Sequence, residues 1–235
     1  MDVYRDRDEV RREYASEERL LARASIYAGT GPDANDALIE AIAEQGPGDV
    51  LEVGCGPGRL AARLRDERGI SVTALDSSER MVELTRARGI DARLGDVQAL
   101  PFADERFDLV IAAWMLYHVA ELDRGLREVA RVLRPGGALI ATTNSEHHLA
   151  EMWTLVGWDG YPLPFNAENG AGILGRHFAH VDRRDISGTV NFPDREAIRN
   201  YIASSIKGRH LVDRVPDSVG PLSATWRCCI LRALR

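Results

Sequence analysis

The strongest chemical signal in this sequence is a short glycine-rich stretch that contains an acid. Residues 52–58 read Glu-Val-Gly-Cys-Gly-Pro-Gly, so Glu52 stands two positions before the first glycine. Glycine lets a backbone turn sharply and approach a ligand closely, and a carboxylate at the position of Glu52 can receive an ammonium group. The stretch therefore suits a ligand that carries a positively charged amine.

The spacing of the glycines separates this loop from a dinucleotide-binding loop. The fingerprint G-x-G-x-x-G would require glycine at position 59, which is Arg59, whereas the third glycine is Gly58. A dinucleotide would also bring its pyrophosphate close to the loop, where the charge of Glu52 opposes it. The combination favours a zwitterionic, methionine-like ligand over a diphosphate and nearly excludes an NAD-type oxidoreductase.

Two more acids follow predicted strands. Asp76 comes after a strand predicted over 71–75 and can accept hydrogen bonds from both hydroxyls of a ribose. Asp96 comes after a strand predicted over 90–94; it can accept from the exocyclic amine of adenine, with the Val97 amide reaching a ring nitrogen. The alternatives are a helix N-cap for Asp76 and a turn residue for Asp96. Three acids at three successive strand ends favour a nucleoside ligand.

The elements that must position these acids alternate between strand and helix. The patterns predict strands over 49–53, 71–75, 90–94, 107–112 and 138–143, and helices over 59–68, 79–88 and 123–133. This order implies a parallel sheet with right-handed crossovers.

The flanking regions complete a single domain over 1–235. Residues 1–45 are predicted to form N-terminal helices that act as a lid, residues 46–143 the cofactor-binding core, and residues 144–235 a substrate cap with the final strands. In the last part we expect helices over 171–178 and 193–205 and strands over 181–190 and 225–234.

Five segments together resemble the class I methyltransferases that use S-adenosylmethionine (SAM). They are residues 52–58, Asp76, and residues 95–102, 107–119 and 131–137. The likeness is greatest to the broad group that contains the ubiquinone and menaquinone C-methyltransferases (methyltransferase type 11). It covers about residues 46–143 and implies a doubly wound, Rossmann-like α/β fold. Its mostly parallel, seven-stranded sheet would have the order 3-2-1-4-5-7-6 and an antiparallel last strand, with an N-terminal helical lid and a small cap.

The resemblance also implies a cofactor, SAM, with S-adenosylhomocysteine (SAH) as its product, and a set of cofactor-binding residues. These are Glu52, Gly54, Cys55, Gly56 and Gly58 in the loop that holds the methionine part, Asp76 at the ribose, Ser77 and Met81 near the nucleoside, Asp96 and Val97 at the adenine, and the Ala113 backbone facing the methionine amine.

The implied function is an enzyme that transfers methyl groups to an O, N or C nucleophile of a small molecule. The net charge of −6 argues against a nucleic-acid partner, whose usual electrostatic footprint is a basic face. Residues 112–115 also lack the Asn/Asp-Pro-Pro-aromatic motif of nucleic-acid amino-methyltransferases. The alternatives are a protein or RNA methyltransferase and a non-catalytic SAM-binding regulatory or scaffold protein.

The acceptor side has fewer signals. Tyr4, Tyr14 and Trp114 are candidate substrate-binding residues, and four aromatic residues could wall an apolar pocket or form the core of the cap: Trp153, Trp158, Tyr161 and Phe165. No catalytic residue is assigned, because His118, the tempting base, is expected to be structural. No metal site is expected, since His147 and His148 lack acids at ligand spacing.

Cysteine usage and hydropathy favour a cytoplasmic protein. Cys228 and Cys229 are adjacent and cannot readily pair with each other, no apolar run approaches the roughly 20 residues of a membrane span, and the N-terminal residues have no apolar signal-peptide centre.

Overall fold

The computed structural model describes residues 6, 9, 10, 12, 22, 23, 26, 27, 33–158, 163–206 and 208–235. A seven-stranded sheet with the order β3-β2-β1-β4-β5-β7-β6 forms its centre. The strands are β1 Val50–Val53, β2 Val72–Asp76, β3 Asp91–Leu94, β4 Phe107–Ala113, β5 Leu133–Asn144, β6 His180–Phe192 and β7 Leu222–Leu234. The first five are parallel, and β7 is antiparallel to both β5 and β6. The predicted strand order and antiparallel last strand are confirmed.

Helices pack on both faces of the sheet. They are α1 Ala34–Ala43, α2 Arg59–Arg68, α3 Glu79–Ala87, α4 Leu122–Val132, α5 Ala150–Leu155, α6 Gly170–Leu174 and α7 Arg195–Ser204, with 3-10 helices at Leu116–His118 and Arg209–Arg214. Successive strand residues point to opposite faces. In β4, Val110 packs with α4 residues on one face, and Leu109 and Ile111 pack with α1 and α2 residues on the other. The continuous apolar run of this strand therefore marks a strand that is covered twice.

The elements after β4 differ most from their predicted bounds. Strand β5 begins at Leu133, five residues early, because its pairing with β4 resumes after an irregularity between Phe107 and Leu109. Gly137 is required in this stretch, since a Cβ there would lie 2.9 Å from the Arg134 carbonyl oxygen. Strands β6 and β7 both exceed their predictions because they pair with each other over 13 positions, and polar residues on the exposed edge strand β6 concealed its length.

A third apolar cluster covers the ends of β6 and β7 that lie beyond β5, together with α5 and α7. Trp153 and Trp158 belong to it, and their rings meet edge to face with centroids 4.5 Å apart. Phe165 is instead fully buried in the cluster beneath α4 and α6. Tyr161 lies outside the described residues. Trp153, Trp158 and Phe165 therefore contribute to two different apolar clusters, and of the two interpretations, pocket wall and core, the fully buried Phe165 has a core position.

Candidate cofactor and acceptor site

The loop after β1 is held against the end of β2 by backbone hydrogen bonds. The Gly54 amide donates to the Leu75 carbonyl over 2.7 Å, and the Cys55 amide donates to the same oxygen over 3.1 Å. Gly58 ends the loop as the N-cap of α2. The sequence thus brings a strand end, a glycine loop and a helix start together, which is the arrangement its spacing predicts.

The first two glycines of the loop have opposite surroundings, although both have positive φ angles, 67° at Gly54 and 54° at Gly56. A Cβ on Gly54 would lie 2.8 Å from the Cβ and Cγ of Met115, so the backbone there is closely covered. A Cβ on Gly56 would meet no atom of the described residues within 4 Å. As far as these residues extend, Gly56 faces open space in which a ligand can approach the backbone.

Asp76, at the end of β2, ties this loop to the start of α3. Its Oδ2 atom accepts from the Gly56 amide and its Oδ1 atom from the Ser78 amide, both over 2.9 Å. The N-cap of α3 is Ser78, whose hydroxyl accepts from the Met81 amide over 3.4 Å. Asp76 is therefore not the helix cap, and burial raises the pKa of its carboxyl group.

Glu52 is the least solvated acid of the site. Its side chain belongs to a residue only 2% exposed, and its Oε2 atom has no hydrogen-bond partner within the part of the chain that the structure describes. Burial first, and the negative charge of Asp76 second, raise the pKa of Glu52 to about 8. Once it is charged, a buried carboxylate with one unpaired oxygen beside a second acid is costly unless a cation meets it, so the pair fits the amine of a methionine-like ligand.

Asp96, after β3, has the turn role that was one of its two interpretations. Its Oδ1 atom accepts from the backbone amide of Gln98 over 2.9 Å, and the Gln98 side-chain amide donates to both carboxylate oxygens at 2.9 and 3.0 Å. The neighbouring Val97 is buried. A turn role leaves adenine recognition open, because a carboxylate offers about four acceptor positions.

Thr85 is a site residue that the sequence patterns did not identify. This α3 residue is fully buried, and its hydroxyl donates to the Gly56 carbonyl over 2.9 Å. The thiol of Cys55 lies 3.6 Å from the same hydroxyl, and burial raises the pKa of that thiol. A polar β-branched residue one turn after Met81, on the inward face of α3, was the available signal.

The remaining predicted cofactor residues surround this core. Met81 is buried on the inward face of α3, Ser77 is exposed, and Ala113 is half-buried at the end of β4, where it pairs with Thr142. The structure thus brings the acids at the ends of β1 and β2 and the glycine loop into one edge of the sheet, with the β3 and β4 ends on either side.

Trp114, a candidate substrate-binding residue, directly follows β4. It has a positive φ of 50°, and its amide donates to the Thr142 carbonyl over 3.0 Å. Its indole nitrogen donates to the Asn144 side chain over 3.2 Å. Because a backbone contact and a side-chain contact both hold Trp114 in an unusual backbone conformation, its side chain has a fixed position between the cluster around α1 and α2 and the third apolar cluster.

A hydrogen-bonded pair joins the N-terminal part of the chain to the segment after β5. The Tyr27 hydroxyl lies 2.9 Å from His148 Nε2 and 3.4 Å from the Tyr201 hydroxyl. His148 Nδ1 lies 3.0 Å from the Arg227 carbonyl, which can only accept, and 3.2 Å from the Arg227 amide. The shorter contact places the proton on Nδ1, so Nε2 accepts from Tyr27. Burial lowers the pKa of His148 to about 4, so its ring is neutral at pH 7.

The remaining expectations concern two tyrosines, metal sites and membrane spans, and only the described residues bear on them. Tyr4 and Tyr14 lie outside them. Among the residues with described positions, no group of three or more His, Cys, Asp or Glu side chains could hold a metal ion. No helix in the described ranges is both long and apolar enough to cross a lipid bilayer.

Comparison with known proteins agrees with this geometry. A family model described as a methyltransferase domain matches residues 51–141. A methyltransferase of Mycobacterium tuberculosis is 33% identical over 179 residues, which cover 74% of this chain and 69% of that protein. The malonyl-[acyl-carrier protein] O-methyltransferase of Pseudescherichia vulneris is 37% identical over 119 residues, which cover 50% of this chain and 47% of that enzyme. The chain thus spans about half the length of this second relative.

The fold also matches solved structures. Phosphoethanolamine N-methyltransferase 2 of Haemonchus contortus, solved in complex with S-adenosyl-L-methionine, superposes with a TM-score of 0.62 at 16% identity. The superposition covers 99% of this chain and 60% of that one. At this identity the likeness concerns the fold alone.

Strand order, glycine loop and acids at the strand ends define a doubly wound α/β protein whose ligand has an amine and a nucleoside. The chain belongs to the class I SAM-dependent methyltransferases, and SAM is its cofactor. The finer likeness to quinone C-methyltransferases stays an expectation.

Proposed function

We propose that the protein transfers the methyl group of SAM to an O, N or C nucleophile of a small molecule. The observation that carries the proposal is the buried carboxyl group of Glu52, whose Oε2 atom has no hydrogen-bond partner among the described residues, beside the open backbone of Gly56. This arrangement is costly in the ligand-free protein and becomes favourable when an ammonium group fills it. When bound, SAM supplies a methyl group on a positively charged sulfur.

The residues at the sheet edge divide the cofactor among them. Glu52 receives the amine, and Asp76 accepts from the ribose hydroxyls through the lone pairs that its contacts with Gly56 and Ser78 leave available. Asp96 and the Val97 amide bind the adenine. These contacts fix the direction in which the methyl group points, and orienting the two reactants lowers the barrier to such a displacement.

The acceptor is expected to approach at Trp114, on the side of β5. The pair Tyr27–His148 supports a lid role for residues 1–45, since it joins the N-terminal part to the segment that follows β5. A lid excludes water and completes the site as it closes. A lid of this kind suits a small acceptor, which it can cover completely.

A cytoplasmic location is part of this proposal. All three cysteines are described and free. Free thiols persist in reducing compartments, which supports that location.

The proposal is tested with tritium-labelled SAM and a cell extract separated into metabolite, protein and RNA fractions. The expected product is labelled material in the metabolite fraction, with SAH as inhibitor and the variant Glu52→Gln as control. Label in the protein or RNA fraction alone would favour those acceptors. Binding of SAH without any transfer would favour a regulatory or scaffold protein.

A further inference from the structure

The segment after β3 is attached to helix α4 by side chains of that helix. We call residues 96–102 the β3 loop. The Arg131 guanidinium donates to the Leu100 carbonyl over 3.0 Å and to the Phe102 carbonyl over 2.8 Å. The Glu128 carboxylate accepts from the Leu100 amide over 2.9 Å. Both backbone groups of Leu100 are therefore held by the same helix.

Glu128 and Arg131 also hold each other. Arg131 Nε donates to Glu128 Oε1 over 2.9 Å, and an Arg131 terminal nitrogen donates to Glu128 Oε2 over 2.8 Å. This two-point contact fixes the plane of the guanidinium, and a planar fork can serve several acceptors at once. The pair forms a rigid clamp, which is one turn of α4 in length and holds the end of the β3 loop.

A third residue ties the start of the loop to the same helix. Gln98 is 6% exposed, and its Oε1 atom accepts from the Glu121 amide, just before α4, over 2.8 Å. Since an amide nitrogen of the backbone only donates, this contact fixes which side of the Gln98 amide faces Asp96. The side-chain nitrogen therefore points at the Asp96 carboxylate, at 2.9 and 3.0 Å.

We infer that Glu128 and Arg131 are positioning residues that set base selectivity at the cofactor site, because they hold the loop that carries Asp96 and Val97. The inference rests on the proposed function, in which Asp96 and Val97 bind adenine. Ordering a loop of this length at the moment of binding would reduce affinity by the entropy of each residue fixed. A loop that is already clamped avoids this cost and keeps its acceptor aimed at one position.

The fixed orientation of the Asp96 carboxylate predicts that the site selects adenine over hypoxanthine. Adenine presents an amine, which donates, where hypoxanthine presents a carbonyl oxygen, which accepts. A carboxylate held in place rejects the second base because two acceptors face each other. Without the clamp, the carboxylate can turn away, and the rejection weakens even if binding of the rest of the ligand survives.

The test is calorimetric titration with SAH and with S-inosylhomocysteine, its hypoxanthine analogue, for the wild type and for Arg131→Ala, Arg131→Lys and Glu128→Gln. We expect the wild type to prefer SAH by about tenfold or more, as for a single unmatched polar group. Arg131→Ala and Glu128→Gln should reduce this ratio at least threefold, and Arg131→Lys should restore part of it. The matched control is Arg127→Ala, also on α4, whose guanidinium donates instead to the Asp123 carbonyl and whose loss should leave the ratio unchanged.

The outcomes separate this inference from the proposed function. A wild type that binds neither ligand contradicts the proposed function itself. A wild type that binds both equally, or variants that weaken both ligands by the same factor, overturn the inference, because a purely structural residue would have that effect. Thermal unfolding shows whether each variant folds. If Arg131→Ala does not fold, Glu128→Gln, which keeps the side-chain size, supplies the ratio of the two affinities.

Discussion

The Asp76 carboxylate accepts a hydrogen bond from the Gly56 amide over 2.9 Å, so an acid at the end of β2 holds the turn that follows β1. The two residues are twenty positions apart in the chain and meet because β1 and β2 are neighbouring parallel strands. One carboxylate thus shapes the loop, and in the proposed function it also accepts from the ribose hydroxyls.

The first prediction concerns the variant Asp76→Ala. Hydrogen bonds to a charged group are each worth about 1.5–3 kcal/mol, so loss of an acceptor for two hydroxyls should weaken SAH binding by about 100-fold or more. Calorimetry measures the affinity, and thermal unfolding measures stability. The control Ser78→Ala removes the N-cap of α3, which should cost about 1 kcal/mol of stability with little change in affinity. Unchanged affinity in Asp76→Ala would leave Asp76 only its role in the loop.

The second prediction concerns the proton on Glu52. Its raised pKa of about 8 means that the carboxyl group is mostly neutral at pH 7 in the ligand-free protein, and an arriving ammonium group lowers that pKa. Binding of SAH at pH 7 should therefore release close to one proton in the wild type and almost none in Glu52→Gln, which has no carboxyl proton to lose. Calorimetry in buffers of different ionisation enthalpy measures the proton count. The groups facing Glu52 are Asp76, the Cys55 thiol and the Ala61 amide.

The same shift has a consequence for the stability of the ligand-free protein. Glu52 keeps its proton in the folded state to a higher pH than in the unfolded chain, so its contribution is fully present below about pH 4.5 and declines as the pH rises toward 8. Glu52→Gln should remove this decline and make the protein more stable than the wild type above pH 8, while it weakens SAH binding. A variant with unchanged affinity and an unchanged pH profile would contradict both statements.

The third prediction concerns the pair Tyr27–His148. Tyr27→Phe and His148→Gln should each speed proteolytic cleavage within residues 1–28, because either change removes the 2.9 Å contact. SAH should slow cleavage in the wild type. The matched control is His147→Gln, since the neighbouring His147 side chain is largely exposed, 68%. Equal cleavage of all four proteins, with and without SAH, would contradict a lid over the cofactor.

The fourth prediction is that His118 is structural and is not the catalytic base. It lies half-buried in the 3-10 helix after β4, and its ring meets that of Tyr117 edge to face with centroids 4.5 Å apart. A general base contributes about 10²–10⁴-fold, so His118→Asn should lower kcat by less than about 100-fold. The pH profile of kcat should keep its shape. A larger loss that also removes the limb near the ordinary histidine pKa of about 6.5, at unchanged SAM affinity, would assign His118 as the base.

The sequence alone determined the features whose signals lie in neighbouring residues. Helix 59–68 was predicted with the bounds that the structure has, since apolar spacing and the flanking Gly58 and Gly69 depend only on nearby residues. The glycine loop and the acids after β1, β2 and β3 followed from the same short-range patterns. The order of all seven strands came from the resemblance to a known family, because alternation fixes a parallel sheet but not the order of its strands.

Tertiary structure decided the features that join residues far apart in the chain. Tyr27 and His148 are separated by 121 positions, and Arg131 reaches Leu100 across 31. No periodicity encodes such pairs, because they depend on which helix covers which strand end. The pKa of Glu52 is a result of the same kind, since the free energy of a charge depends on how much water the surrounding elements exclude. Only the assembled sheet, which places β1 beside β2, excludes water from that carboxyl group and brings Asp76 next to it.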